Sequence, residues 1–171
     1  MRIIGIDPGI ATIGFGVVSY QNNRCVLEKC GVITTPAHTS LSSRLSRIYS
    51  DLTELLQMFK PDAVSIEELF FTNNITTGIP VAHGRGVILL ACEHARIPIY
   101  EYTPLQVKQS VTGYGRAEKK QVMEMVRRIC SLTVVPRPDD AADAVALAIC
   151  HARSSTSLLM NEGDSNPCST I

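Results

Sequence analysis

The sequence predicts an α/β fold: a mixed five-stranded sheet, an antiparallel meander plus two parallel strands, flanked by helices. Three observations carry this expectation. The first part of the chain holds three apolar runs broken by turn residues, two later apolar runs each follow a stretch of helical periodicity, and the remainder reads as helix. With 171 residues, 45% of them hydrophobic and 19% charged, the chain has the material for one packed core and no room for a second lobe.

Arg2 to Asp7 is a short apolar strand ended by Pro8-Gly9; Gly14 to Tyr20 and Cys25 to Thr34 are two more around the polar turn Gln21-Asn22-Asn23. From Leu41, the residues Leu45, Ile48, Leu52, Leu55, Leu56 and Phe59 recur at helical spacing until Lys60-Pro61 stops the helix. Asp62 to Glu67 is the fourth strand. A second helix spans Ile79 to Arg96, with Pro80 tolerable only in its first turn, and Ile97 to Tyr100 is the fifth strand. Helices follow over Pro104 to Val111, Glu118 to Cys130 and Asp140 to Arg153. From Ser154 the chain turns to Ser, Asn, Gly and Pro without a basic residue, which predicts one domain over residues 1–153 and a disordered tail over 154–171. The order βββαβαβ followed by helices is that of an RNase H-like sheet.

The N-terminus MRIIGIDPG lacks the features of a signal peptide, and no apolar stretch approaches the ~20 residues of a membrane span, so a cytoplasmic location is expected. Cys25, Cys30, Cys92, Cys130, Cys150 and Cys168 form no C-x-x-C pair and read as small reduced hydrophobes. His38, His94 and His151 read as surface or helix-end residues without partners, and His83 lies on the second helix. Sixteen basic residues balance sixteen acidic ones, so any nucleic-acid surface must come from the distribution of charge rather than its sum.

Acidic residues stand in unusual places. Asp7 ends an apolar strand just before a Pro-Gly turn, where capping the turn is its ordinary alternative role. Glu67 and Glu68 end the fourth strand; their side chains face opposite sides, so only one can join Asp7. Asp140 and Asp143 lie three apart at the start of the last helix, hence on one face, while Asp139 reads as its N-cap. Asp143 sits amid Ala and Val, where an unpaired carboxylate is costly. Together such acids make an all-oxygen cluster suited to a hard divalent cation, and two ions ~3.5–4 Å apart would serve in-line attack on a phosphodiester.

The runs Ile-Gly-Ile-Asp-Pro-Gly, Ile-Glu-Glu-Leu-Phe, His-Gly-Arg-Gly-Val, Tyr-Glu-Tyr-Thr-Pro-Leu-Gln-Val-Lys, Gly-Arg-Ala-Glu-Lys and Asp-Ala-Ala-Asp-Ala-Val-Ala-Leu-Ala resemble, in order, the motifs of the RuvC family over residues 2 to 152. The resemblance implies a crossover junction endodeoxyribonuclease that resolves four-way (Holliday) DNA junctions in homologous recombination and DNA repair. It implies catalytic, metal-holding acids at Asp7, Glu67, Asp140 and Asp143, choosing Glu67 over Glu68. The implied cofactor is Mg²⁺, two per subunit, with Mn²⁺ as a substitute. A homodimer making paired nicks is implied, alongside the RuvA and RuvB branch-migration proteins. Ile13, Pro80 and His83 depart from the family pattern without touching the acids.

Between Pro104 and Cys130, six basic residues (Lys108, Arg116, Lys119, Lys120, Arg127, Arg128) face only Glu118 and Glu124, the local basic excess that a DNA surface needs. Lys108 and Lys119 match positions of the family's DNA-contacting lysines, and Arg116 joins them as a DNA-binding candidate. Arg127 and Arg128 read equally well as a solvated helix face. Phe70, or its neighbour Phe71, is placed to stack on unpaired bases, and the resemblance selects Phe70. The run Gly86 to Cys92 has no polar residue over two turns, so the second helix is expected to form a two-fold dimer contact through Leu89 and Cys92. Three other readings compete. Gly5 to Gly9 with Gly14-Phe15-Gly16 is similar to the first phosphate loop of actin-like sugar kinases and chaperone ATPases, which need two such domains. An RNase H-like nuclease acting on structured RNA shares the acid cluster, and a non-catalytic junction-binding module would use the acids only as caps.

Overall fold

A computed structural model gives the structure of residues 1–68 and 75–163, with side chains for 1–68 and 78–155. The elements are β1 (Arg2–Asp7), β2 (Thr12–Gln21), β3 (Arg24–Thr34), α1 (Leu41–Phe59), β4 (Ala63–Glu67), α2 (Ile75–His94), β5 (Ile99–Tyr102), α3 (Pro104–Thr112), α4 (Lys119–Ile129) and α5 (Asp139–Gly163). The sheet order is β3-β2-β1-β4-β5, with the first three strands antiparallel and β1, β4 and β5 mutually parallel. This is the RNase H-like arrangement expected from the order of elements. Asn22 and Asn23, at φ 51° and 59°, supply the two positive-φ residues that a tight β2–β3 hairpin uses.

The two faces of the sheet bury different helices. On one face Ile4, Ile6, Val17, Ile33, Val64 and Ile66 pack with Ile48 and Leu52 of α1 and Ile88 and Cys92 of α2. On the other, Ile3, Val18 and Cys25 pack beneath α5, which α3 and α4 cover in turn through Val107, Val111, Val122 and Val126. From Ala141 to Ala152 every residue of α5 is buried except Asp143. That helix is covered all round, a property the sequence suggests for α2 instead. In α2, Ile88, Ala91 and Cys92 are core, whereas Ile79 is 52% and Leu90 48% exposed.

Several boundaries differ from expectation. α2 starts at Ile75, not Ile79, so Pro80 lies beyond its first turn and withholds the N–H that would close a bond four residues back. β5 is shifted two residues on, because Arg96 turns into the left-handed region at φ 56° and Pro98 cannot donate to a ladder. β2 begins two residues early, at Thr12, in register with Thr34. α5 continues past Arg153 to Gly163; the Ser154 and Ser155 hydroxyls turn back onto the carbonyls of Cys150 and Ala152, which keeps serines compatible with helix. The rest of the tail, 164–171, lies outside the described residues. His151 is not a surface residue: it is 3% exposed and its Nδ1 pairs with the Tyr102 hydroxyl at 2.8 Å. His94 also has a partner, the Tyr49 hydroxyl, at 2.8 Å. The five described cysteines are free, four of them buried.

Candidate active site

Parallel pairing of Ile6 with Ile66 ends β1 and β4 at the same edge of the sheet, so Asp7 and Glu67 leave it side by side. Alternation decides their direction. Ile6 and Ile66 point into the α1/α2 core, hence Asp7 and Glu67 point to the α5 face and Glu68 away from it. The choice between the two glutamates therefore follows from the pleat as well as from the resemblance.

α5 brings the remaining acids because the strands beneath it lack side chains where it crosses. A Cβ on Gly5 would stand 1.9 Å from the Ala144 carbonyl oxygen, and one on Gly14 would stand 2.0 Å from that of Asp140. Glycine on the strands and alanine on the helix let the backbones touch, and the first turn of α5 is thereby set over the end of β1. Asp139 is the first residue of that helix rather than its cap; its carboxylate accepts from Arg137 at 2.6 Å. Sequence reasoning misses this platform. Gly14-Phe15-Gly16 suggests phosphate binding when taken alone, although the matching alanines of 141–148 carry the signal of close packing.

Crowding governs the electrostatics. Burial first, then the charges of Glu67, Asp143 and Asp140, push the Asp7 carboxyl from an ordinary 3.8 up to about 7, with Lys119 opposing. Glu67 is raised as well, by burial and then by Asp143. The Lys119 ammonium donates to Asp143 Oδ2 at 2.8 Å and stands 3.9 Å from Asp139 Oδ2, and its own pKa is raised chiefly by the Asp143 bond.

Asp7, Glu67 and Asp143 open with Lys108 and Lys119 onto one cleft of about 240 Å³, walled by Val107, Val122 and Leu147. Asp140 joins this group through its charge on Asp7. A larger cleft of about 600 Å³, between α1 and the end of α2 around Tyr49, Leu56 and His94, is lined by no acidic residue. Arg116 and Lys120 are exposed, at and beyond the turn entering α4. Arg127 and Arg128 both pair with Glu124 at 2.8 Å, which makes them the solvated face anticipated as their alternative. Phe70 and Phe71 lie outside the described residues.

The donors fit a hard divalent cation. All are carboxylate oxygens, drawn from β1, β4 and α5, and the burial and mutual repulsion that push Asp7 up are a penalty that a bound cation would relieve. Among the described residues no three of these groups are gathered at ligating distance, and Lys119 supplies the positive charge they face.

The family model for crossover junction endodeoxyribonuclease RuvC matches residues 3–151. A RuvC of Ruminiclostridium cellulolyticum is 55% identical over 154 residues, covering 90% of this chain and 93% of its own. The solved Thermus thermophilus RuvC in complex with a Holliday junction substrate is 38% identical, with a TM-score of 0.88 over 92% of this chain and 96% of that one. The yeast mitochondrial Holliday junction resolvase Ydc2, at 14% identity and a TM-score of 0.69 over 95% of this chain and 83% of its own, shares the fold.

Proposed function

The chain belongs to the RuvC family of crossover junction endodeoxyribonucleases, and on that footing we propose that it resolves four-way DNA junctions in recombination and repair by paired, metal-dependent hydrolysis. The observation that carries the reading is the cluster at the sheet edge: carboxylates from three elements, with Asp7 pushed up to about 7 and lysines at the rim. Neither a set of caps nor a nucleotide cleft calls for such crowding.

Asp7, Glu67, Asp140 and Asp143 are the residues that hold the metal. Mg²⁺ bound there, two ions per subunit with Mn²⁺ as a substitute, supplies charge stabilisation and water activation for displacement at phosphorus. The chain's own groups do the rest. β1 and β4 fix Asp7 and Glu67, α5 fixes Asp140 and Asp143, and the apolar wall of Val107, Val122 and Leu147 limits water around them. Lys108 and Lys119 neutralise the phosphates beside the scissile bond, and Lys119 is close enough to exchange its carboxylate partner for a phosphate oxygen. Arg116 and Phe70 complete the DNA contacts, the first on phosphate and the second by stacking.

A two-fold dimer through α2 accounts for paired nicking. Its outward face presents Ile79 and Leu90, with Gly86 open between them and Leu89 half-buried beside them; the contact runs through Leu89 and Leu90, and Cys92 is a core residue instead. An isologous pair sets two sites on strands related by the junction's own approximate symmetry. Cytoplasmic action with RuvA and RuvB is part of this reading and rests on family membership; among the described residues no helix is long and apolar enough to cross a membrane. The test is direct: a synthetic four-way junction bound in EDTA is converted by Mg²⁺ into two nicked duplexes with symmetric cuts, while structured RNA is left intact. Binding without cleavage would favour the non-catalytic module, and cleavage of RNA alone would overturn the substrate.

A further inference from the structure

The catalytic edge has two flanks. Lys108 and Lys119 stand on the α3/α4 side; on the α1 side Arg44 is held in a fixed attitude. Arg44, half-buried near the start of α1, donates from Nε to Thr35 Oγ1 at 2.7 Å. Thr35, only 8% exposed, donates its hydroxyl to the Ile10 carbonyl at 2.6 Å and its N–H to that of Ala11 at 3.0 Å. Ile10 and Ala11 belong to the loop that leaves Asp7 through Pro8-Gly9. α2 presses the same loop from another side, for a Cβ on Gly84 would come within 2.7 Å of the Gly9 oxygen.

Arg44 is thus tied by one nitrogen to the segment that carries Asp7. A latch needs nothing more than Nε. The two Nη groups, the part of a guanidinium that matches an anion bidentately, have no partner among the described residues. Arg2, Arg47, Arg85, Arg127, Arg128 and Arg137, by contrast, each meet a carboxylate. No acidic residue lies in the first turn of α1 to compensate Arg44. A partly buried cation held by its Nε alone, on a residue tied to the loop that follows Asp7 and met by no carboxylate among the described residues, is hard to explain as a structural element alone.

We propose that Arg44 is a phosphate-binding residue: its Nη fork grips a phosphodiester of the junction on the α1 flank, opposite the lysines, and Thr35 is the positioning residue that aims it. This rests on the junction-resolving function proposed above. Equilibrium binding of a synthetic four-way junction is measured against salt in EDTA for the wild type, Arg44→Gln, Arg44→Lys and Thr35→Val, with thermal unfolding of each. The slope of log K on log salt falls by about 0.9 for each phosphate that is no longer neutralised. Arg44→Gln is expected to lower that slope by about 0.9 per phosphate and to weaken binding roughly tenfold near physiological salt. Arg44→Lys is expected to keep the wild-type slope, and Thr35→Val to keep the slope while weakening binding by about threefold, since it misaims a charge that is still present. An unchanged slope in Arg44→Gln with a lowered melting temperature would reduce Arg44 to a loop latch and overturn the proposal. An unchanged slope with an unchanged melting temperature would overturn it too. If Arg44→Gln does not fold, Arg44→Met is measured in its place, and an unchanged slope in that variant overturns the proposal. Failure of the wild type to bind junctions would strike the functional reading instead.

Discussion

Without metal the proposed active site works against the fold, and the cost can be read from Asp7. Its carboxyl is held at about 7 against an ordinary 3.8. A raised folded-state pKa in an acid means that the native protein binds more protons than the unfolded chain between those values, so stability falls as pH rises through the interval and the penalty is complete above 7. At ~1.4 kcal/mol per pH unit the ceiling is about 4 kcal/mol, shared with Glu67 and α5 because the cluster titrates as one. For a chain of this size that corresponds to roughly 8–16 °C in melting temperature. The assay is thermal unfolding in EDTA from pH 4 to pH 8 for the wild type and Asp7→Asn. The two should come closest near pH 4 and diverge steadily until about pH 7, with the amide higher. Added Mg²⁺ should then raise the wild type and leave the amide where it was, since a cation favours the ionised cluster. Equal melting temperatures at pH 8, or parallel pH profiles, would refute the reasoning.

Asp7→Asn, Glu67→Gln, Asp140→Asn and Asp143→Asn should each abolish nicking in Mg²⁺ while junction binding persists or tightens; near wild-type turnover in any of them removes that residue from the metal set. Lys119→Ala should depress nicking more than binding and Lys120→Ala should do little, because only Lys119 reaches the acids; equal effects would indicate a diffuse basic surface. Leu90→Glu should give soluble monomers that bind but do not make paired nicks, whereas Cys92→Glu should unfold the chain, because Cys92 is wholly buried; sedimentation of the wild type as a monomer at micromolar concentration would sink the dimer. Gly14→Ala should lower stability by roughly 1–3 kcal/mol or more and remove metal-dependent stabilisation without altering any carboxylate, since the new methyl meets the Asp140 backbone. Normal nicking by that variant would mean that α5 can shift without cost.

The sheet is legible because each strand announces itself locally. β1, β3 and β4 run in apolar stretches closed by Pro-Gly, Thr-Pro or acidic residues, and Asn22-Asn23 is a hairpin turn on its own chemistry. What escapes are properties set between elements. Pro80 looks like a helix start in isolation, but the helix begins at Ile75 and carries the proline in its interior. Burial of α2 and α5 is exchanged for a related reason. An apolar run of seven residues suggests that α2 is enclosed, yet Leu90 is exposed, while α5, diluted by small residues of modest hydrophobicity, is the helix that the rest of the chain surrounds. Small side chains measure how closely a helix is approached, and average hydrophobicity does not report that. His151 follows from the same fact: on a buried helix its ring needs a buried partner, and Tyr102 supplies one.

The acids themselves are legible as exceptions, charges at the ends of apolar strands and inside an alanine-rich helix, and the structure adds why they must meet. Asp7 and Glu67 are neighbours by strand register alone. Asp140 and Asp143 arrive only because Gly5 and Gly14 remove the side chains that would hold α5 off the sheet, so the glycines belong to the design of the cluster as much as the carboxylates they position. The neutral total charge follows from this economy. Acids crowded at one edge share their cleft with Lys108 and Lys119, so charge is balanced over the whole chain and unevenly distributed where a polyanion would approach. A cluster of carboxylates repels DNA unless cations stand beside it; Lys119, 2.8 Å from Asp143, is one, and the Arg44 fork proposed above would be another.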